Sequence, residues 1–269
     1  MSKKSLYTLI AILIVFGIYG YEYFLVEKEK TNIVKQGKTV KNNTSTYFLP
    51  TSTTGQIVHH ETYSLSYSET HEQAEWVAYE LKKSHLSNTN FKRPYFEIDK
   101  AVKTGAAHWQ NYKNSGYDRG HLCPAGDRSY SQAAYLETFL TSNISPQEHE
   151  FNSGIWNNLE QKVRYWASKY NGVFVVTGGV LKGFMKTIGD ENVSVPNQFY
   201  KILLAYNTRK IKMIAFLIPH KSSDKPLYEF VVSVDEIEDL TGIDFFSKLE
   251  DSLENKLEAA SSYKEWSFN

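Results

Sequence analysis

The chain of 269 residues has a single cysteine, Cys123, so it can form no intramolecular disulfide and no zinc site built on several thiolates. Charge of one sign is also missing. The 30 Lys+Arg and 30 Asp+Glu leave a formal net charge of +0 at pH 7, which argues against a DNA-packaging protein held by many neutralised phosphates. No internal repeat is visible. Thr177-Gly178-Gly179 is too short to be a phosphate-binding loop. Cys123 lies two residues after His121 but lacks further soft ligands nearby, and it reads as a small buried packing residue.

The neutral average conceals a gradient. Residues 1–50 carry 7 Lys+Arg against 3 Asp+Glu, residues 51–234 carry 20 against 17, and residues 235–269 carry 3 against 10. Only one long apolar run occurs, residues 6–26, preceded by Lys3 and Lys4 and interrupted by one acid, Glu22. Its length suits a bilayer-spanning helix with the lysines inside, so residues 1–30 are predicted to be a membrane anchor. The alternative is a cleaved signal peptide, against which stands the lack of a small-x-small site after Tyr19. Residues 31–56 are polar, without sustained periodicity, and read as a linker. Residues 57–269 then form one domain, and 41% hydrophobic residues suffice for a full core.

Within that domain, ETYSLSYS alternates as a strand does. HEQAEWVAYELKKS has helical spacing, with Thr70 as N-cap and Trp76, Val77 and Leu81 facing inward. GVFVVTGGVL, FYKILLAY and MIAFLIPH read as buried strands. IWNNLEQKVRYWASKY reads as a helix with Ile155, Leu159, Val163, Trp166 and Tyr170 inward, and two further helices follow, capped by Ser233 and Asp244. The fold class is α+β. His59, His60 and His220 read as surface or capping residues, and Asp127 as a turn or cap residue.

The stretch Gly116–Glu160 is denser in varied polar residues than an ordinary loop. Asp118-Arg119-Gly120-His121 places an acid, a fixed cation, a glycine and a group that titrates near neutrality in consecutive positions. Asn143, Asn152 and Glu160 add hard oxygen ligands of the kind Mg²⁺ accepts. Asn152, just before a helical pattern, could equally be its N-cap. Glu160 lies eight residues on, about 12 Å along a helix axis, so it cannot share an ion directly with Asn152 unless Asn152 precedes the helix proper. Asp118 reads as an orienting group, because a base needs a proton affinity suited to neutral pH.

These three blocks, Asp-Arg-Gly-His, Ser-Asn-Ile-Ser-Pro-Gln and Asn-Ser-Gly-Ile-Trp-Asn-Asn-Leu-Glu, resemble the signature of the DNA/RNA non-specific endonucleases, the ββα-metal nucleases. Weaker likeness runs over about residues 57–255. The resemblance implies a central antiparallel sheet flanked by helices, with His121 on a β-hairpin facing a metal-bearing helix. It further implies Mg²⁺ on Asn152, with Mn²⁺ able to substitute, and His121 as general base. Asn143 would position His121 or the metal's waters, Glu160 would act through water, and Arg119 and Arg93 would contact the phosphate. Arg93 could equally be an exposed arginine before Pro94. The implied activity is sequence-nonspecific hydrolysis of DNA and RNA to 5′-phosphate products, outside the cytoplasm.

Two rival readings are a catalytically silent binding domain at the cell envelope and a thiol hydrolase using Cys123 with His121. The lysines before the apolar run generate a test of topology. Protease added to intact spheroplasts should digest the chain beyond about residue 50; an undigested domain would place it in the cytoplasm.

Overall fold

The computed structural model describes residues 7, 12–21, 48–87, 89–208 and 210–268. Its framework is a seven-stranded sheet whose neighbouring strands are all antiparallel. In chain order the elements are β1 (Ile57–His59), β2 (Ser64–Ser68), β3 (Gln73–Leu81), β4 (Asp118–His121), α1 (Gln132–Glu137), β5 (Ile144–Gln147) and α2 (Asn157–Lys169). There follow β6 (Val173–Gly179), β7 (Lys186–Ile188), β8 (Val193–Val195), β9 (Gln198–Ala205), β10 (Lys212–Pro219), β11 (Val231–Val232), α3 (Val234–Thr241) and α4 (Asp251–Glu258). The large sheet runs β1-β2-β3-β6-β9-β10-β11, while β4-β5 and β7-β8 are separate hairpins. The α+β class and the antiparallel sheet are as expected.

Alternate residues of the central strands feed two different apolar layers. Val77, Tyr79 and Leu81 of β3 join Leu203 and Phe216 beneath Leu159, Val163 and Trp166 of α2. Trp76 and Ala78 face the other way, into a layer closed by Val234 and Ile237 of α3 and Leu257 of α4. This corrects the expected helix at HEQAEWVAYELKKS. Covered on both faces, the strand is buried at nearly every position and carries apolar residues on both sides, and such a run satisfies a helical spacing as readily as an alternating one. Its polar residues are hydrogen-bonded: Gln73 donates to Ser194 O at 2.6 Å, and Glu75 accepts from Ser66 Oγ at 2.6 Å. Thr70 lies in the turn before it rather than at a helix start.

Ser233 caps α3 by accepting from Glu236 N at 3.1 Å. Asp244 is no cap; Glu250 caps α4, accepting from Leu253 N. His60 is also no free surface residue, since its Nε2 lies 2.9 Å from the Asp99 carboxylate, whereas His59 is exposed.

The expected linker and anchor fall largely outside the described residues. Of the anchor, only residue 7 and residues 12–21 are described; they are helical and exposed, and among the described residues no helix is long and apolar enough to cross a membrane. The segment 48–56, read from sequence as linker, is packed. Phe48 is buried against Phe174, Tyr206 and Phe246, and Trp76 Nε1 donates to Thr51 O at 2.8 Å. One aromatic in a polar stretch makes no period, so this contact left no pattern to read. Phe48→Ala should therefore lower unfolding stability by about 3–5 kcal/mol in urea titration, whereas a change below about 0.5 kcal/mol would fit a true linker.

Candidate active site

The β4–β5 hairpin pairs Asp118 with Gln147 and His121 with Ile144. Gly120 faces the side chain of Gln147 so closely that a Cβ there would lie 2.2 Å from Gln147 Cδ. A residue without a side chain is needed for Gln147 to lie across the strand. Both amide atoms of Gln147 are buried without a hydrogen-bond partner, and so is Nε2 of His121. Orphaned polar atoms carry a desolvation cost of about 1–3 kcal/mol each; Gln147 lies on the Gly120 face and His121 on the other, so the free Nε2 of His121 is the one open to a ligand on its own face of the hairpin.

Asp118 connects the hairpin to the segment that follows it. Its Oδ2 accepts from Asn152 Nδ2 at 3.0 Å and stands 2.9 Å from His149 Nδ1, which holds the His149 pKa above its ordinary value. Asn152 sits in a π-helical turn, Phe151–Trp156, that follows one helical step at 149–150, is kinked at Gly154 (φ −96°, ψ −109°) and runs into α2 at Asn157. Asn152 thus lies inside the helical run, ahead of the regular turns of α2, and is not an N-cap. With Nδ2 donated to Asp118, its Oδ1 is left as an acceptor.

The cations gather around one ring. Arg93 and Arg119 lie 5.7 and 5.6 Å from the centroid of Phe96, and the His121 ring lies 5.6 Å from it. Phe139 meets His121 edge-on at 4.9 Å. Arg119 is anchored by donating to Trp109 O at 3.1 and 3.3 Å, whereas Arg93 is exposed. Burial, and then the charge of Arg93, hold the pKa of His121 down at about 3, so the imidazole is neutral at pH 7 with a free ring nitrogen.

A single amide oxygen on Asn152, held by Asp118 against the hairpin that carries His121, is a hard donor of the kind Mg²⁺ accepts while keeping most of its waters. Among the described residues, the one group of three acidic or imidazole ligands close enough to hold an ion lies elsewhere, on α3 and α4.

The family model for DNA/RNA non-specific endonuclease matches residues 41–252. The chain belongs to the DNA/RNA non-specific endonuclease family. It is 33% identical over 251 residues to the mitochondrial nuclease EXOG of Danio rerio, covering 87% of this chain and 72% of that protein. It is 32% identical over 205 residues to mitochondrial endonuclease G of Homo sapiens, covering 71% of this chain and 69% of that one. The chain spans only 56% of the mouse and human forms of EXOG. Among solved structures, that of the EndoG/EndoGI complex superposes with a TM-score of 0.72 at 28% identity, over 77% of this chain and 91% of that chain.

Not every family position touches the site. Asn143 is fully buried, and its amide is spent on backbone: Oδ1 accepts from Cys123 N at 2.8 Å, while Nδ2 donates to Cys123 O and Thr138 O at 3.0 and 2.9 Å. It fixes the path of the chain two residues past His121. Glu160 faces Lys201, Asp127 and Arg164 in the interior; burial raises its pKa and lowers that of Lys201. Among the described residues no hydrogen bond joins Glu160 to His121 or Asn152.

Two residues do more than their sequence context suggests. Asp127 is wholly buried, accepting from Tyr79 Oη at 2.9 Å and Arg164 Nη1 at 2.7 Å. His220 is buried; its Nε2 accepts from Glu148 N at 2.7 Å and its Nδ1 donates to Pro196 O at 2.8 Å. It thus holds the start of the Asn152 turn, a role visible only once distant strands are brought together. Cys123 is buried as expected, with its thiol pushed up to about 12 by burial, which removes it as a nucleophile.

The depressed His121 pKa sets the sign of a pH effect. The unfolded imidazole titrates near about 6.5, so on acidification the unfolded chain takes up this proton first. The stability that His121 contributes is complete above that pH and is lost as pH falls toward the folded value of about 3. His121→Gln should therefore show a shallower fall in urea midpoint between pH 7 and pH 4 than the parent chain; parallel curves would contradict the neutral, buried assignment. His71, His85 and His220, also held down by burial, occur in both proteins and cancel in the difference.

Proposed function

We propose that the chain is a Mg²⁺-dependent endonuclease that hydrolyses DNA and RNA phosphodiester bonds without sequence preference, Mn²⁺ serving in place of Mg²⁺. The observation that carries this reading is the Asp118–Asn152 hydrogen bond at 3.0 Å, which fixes a free amide oxygen beside a hairpin bearing an unpartnered, neutral His121. Mg²⁺ on Asn152 would supply neutralisation of the charge that builds on the phosphoryl and leaving oxygens.

His121 Nε2 takes a proton from water as the water oxygen bonds to phosphorus and the bond to the 3′ oxygen breaks. The 5′-phosphate stays on one product, and the 3′ oxygen takes its proton from solvent. Arg119, fixed by Trp109, and Arg93, free at the surface, contact the phosphate oxygens, and their charge reads no base. An arriving phosphate also offsets Arg93, the smaller of the two causes, after burial, that hold the His121 proton affinity down. Asn143 and His220 act only by holding the backbone beside His121 and Asn152. Glu160 tunes the charge behind α2. By the lysines ahead of its apolar run, the chain is anchored with this domain outside the cytoplasm.

Plasmid and RNA cleavage by the chain should stop in EDTA and return with Mg²⁺; full activity in excess chelator would overturn the metal assignment. His121→Ala should lower turnover by about 10²- to 10⁴-fold at any Mg²⁺ concentration while still binding DNA. Asn152→Ala should lose activity in a way that high Mg²⁺ partly restores. An Asn152→Ala protein with ordinary turnover at low Mg²⁺ would refute the site.

A further inference from the structure

On the face of the sheet opposite the hairpin, Asp235, Glu238 and Glu258 bring one carboxylate oxygen each within 4.8 Å of one another. Asp235 and Glu238 are three residues apart on α3, and so share one side of that helix. Glu254 and Glu258 are four apart on α4 and do the same. Asp244, in the connection between the helices, adds a further negative charge acting on Glu238, Glu254 and Glu258.

A row of acids on a surface means little, but this group is not all surface. Glu258 is only 6% exposed, and its Oε1 is buried without any hydrogen-bond partner; Oε1 of Glu254 is likewise buried and unpartnered. Buried carboxylates are ordinarily paired or bound to metal, because removing such a charge from water is costly. The charges that act most strongly on Glu258 are Glu238, Glu254, Asp244 and Asp235, all acidic.

We infer that Asp235, Glu238 and Glu258 form a calcium site, separate from the nuclease centre, that ties α3 to α4. The ligands are oxygen only, which selects a hard cation. Several carboxylates from two helices and a loose spacing suit the larger, geometrically tolerant Ca²⁺, whereas Mg²⁺ demands a tight octahedron. Glu238 is already held in place, its Oε1 accepting from Phe245 N at 2.8 Å. This inference does not depend on the proposed nuclease activity.

The test uses full-length chain carrying Asn152→Ala, so that calcium at the nuclease centre does not confuse the count. Equilibrium dialysis with radioactive calcium at pH 7 should find one Ca²⁺ per chain, and 1 mM CaCl₂ should raise the melting midpoint by about 5 °C. Adding Glu258→Gln should abolish both effects; MgCl₂ at the same concentration should give less than half the shift. Glu258→Gln alone should keep the parent's Mg²⁺-dependent plasmid cleavage, which separates failure here from failure of the nuclease reading. Should Glu258→Gln not fold, Asp235→Asn, at an exposed position, serves in its place. No bound calcium with Asn152→Ala alone, undiminished binding after Glu258→Gln or Asp235→Asn, or an equal response to Mg²⁺ would overturn the assignment.

Discussion

The large sheet is covered on both faces, and most of the architecture follows from that constraint. Strands such as β9 and β10 are apolar at nearly every position because each side chain meets one of two packed layers. Hydrophobic burial on this scale is the main source of stability, and it leaves the central strands no room for hydrated chemistry. The reactive groups are therefore displaced to the separate β4–β5 hairpin and to the turn ahead of α2. The sheet's part in function is to hold those two pieces still.

The hairpin and the turn are joined by hydrogen bonds that sit on top of the apolar layer they share. Asp118 reaches across to Asn152, and His220 reaches from the end of β10 to the backbone of Glu148. Asn143 secures the far side of His121 through Cys123. Removing Asn143 or His220 would leave buried backbone groups unsatisfied, so positioning and stability are coupled there. The two arginines are held differently, one by a backbone carbonyl and the other, among the described residues, by ring contact, which gives the site one fixed cation and one adaptable one.

Much of the candidate site was legible because its residues sit close together in sequence. The Asp-Arg-Gly-His run, Asn152 and the inward face of α2 all depend on local spacing. What could not be read depends on distant segments. β3 was taken for a helix because cover on both faces erases the alternation that marks a strand. His220 and Asp127 gave no signal because their partners lie 72 and 37 residues away. Asn152 carried two readings until the structure placed it inside a π-helical turn, kinked at Gly154, rather than at a helix start. Arg93 sat in a loose match, and the shared rings of Phe96 and Phe139 set it beside His121.

Cys123 offers a consequence of a different kind. It is the chain's one thiol, wholly enclosed, beside the strand that carries His121. No reagent reaches it until the layer around it opens, and the thiolate that reacts is suppressed while it stays enclosed. Its modification rate is thus a direct clock for opening of the layer beneath α2, recorded by the chain itself without any introduced label.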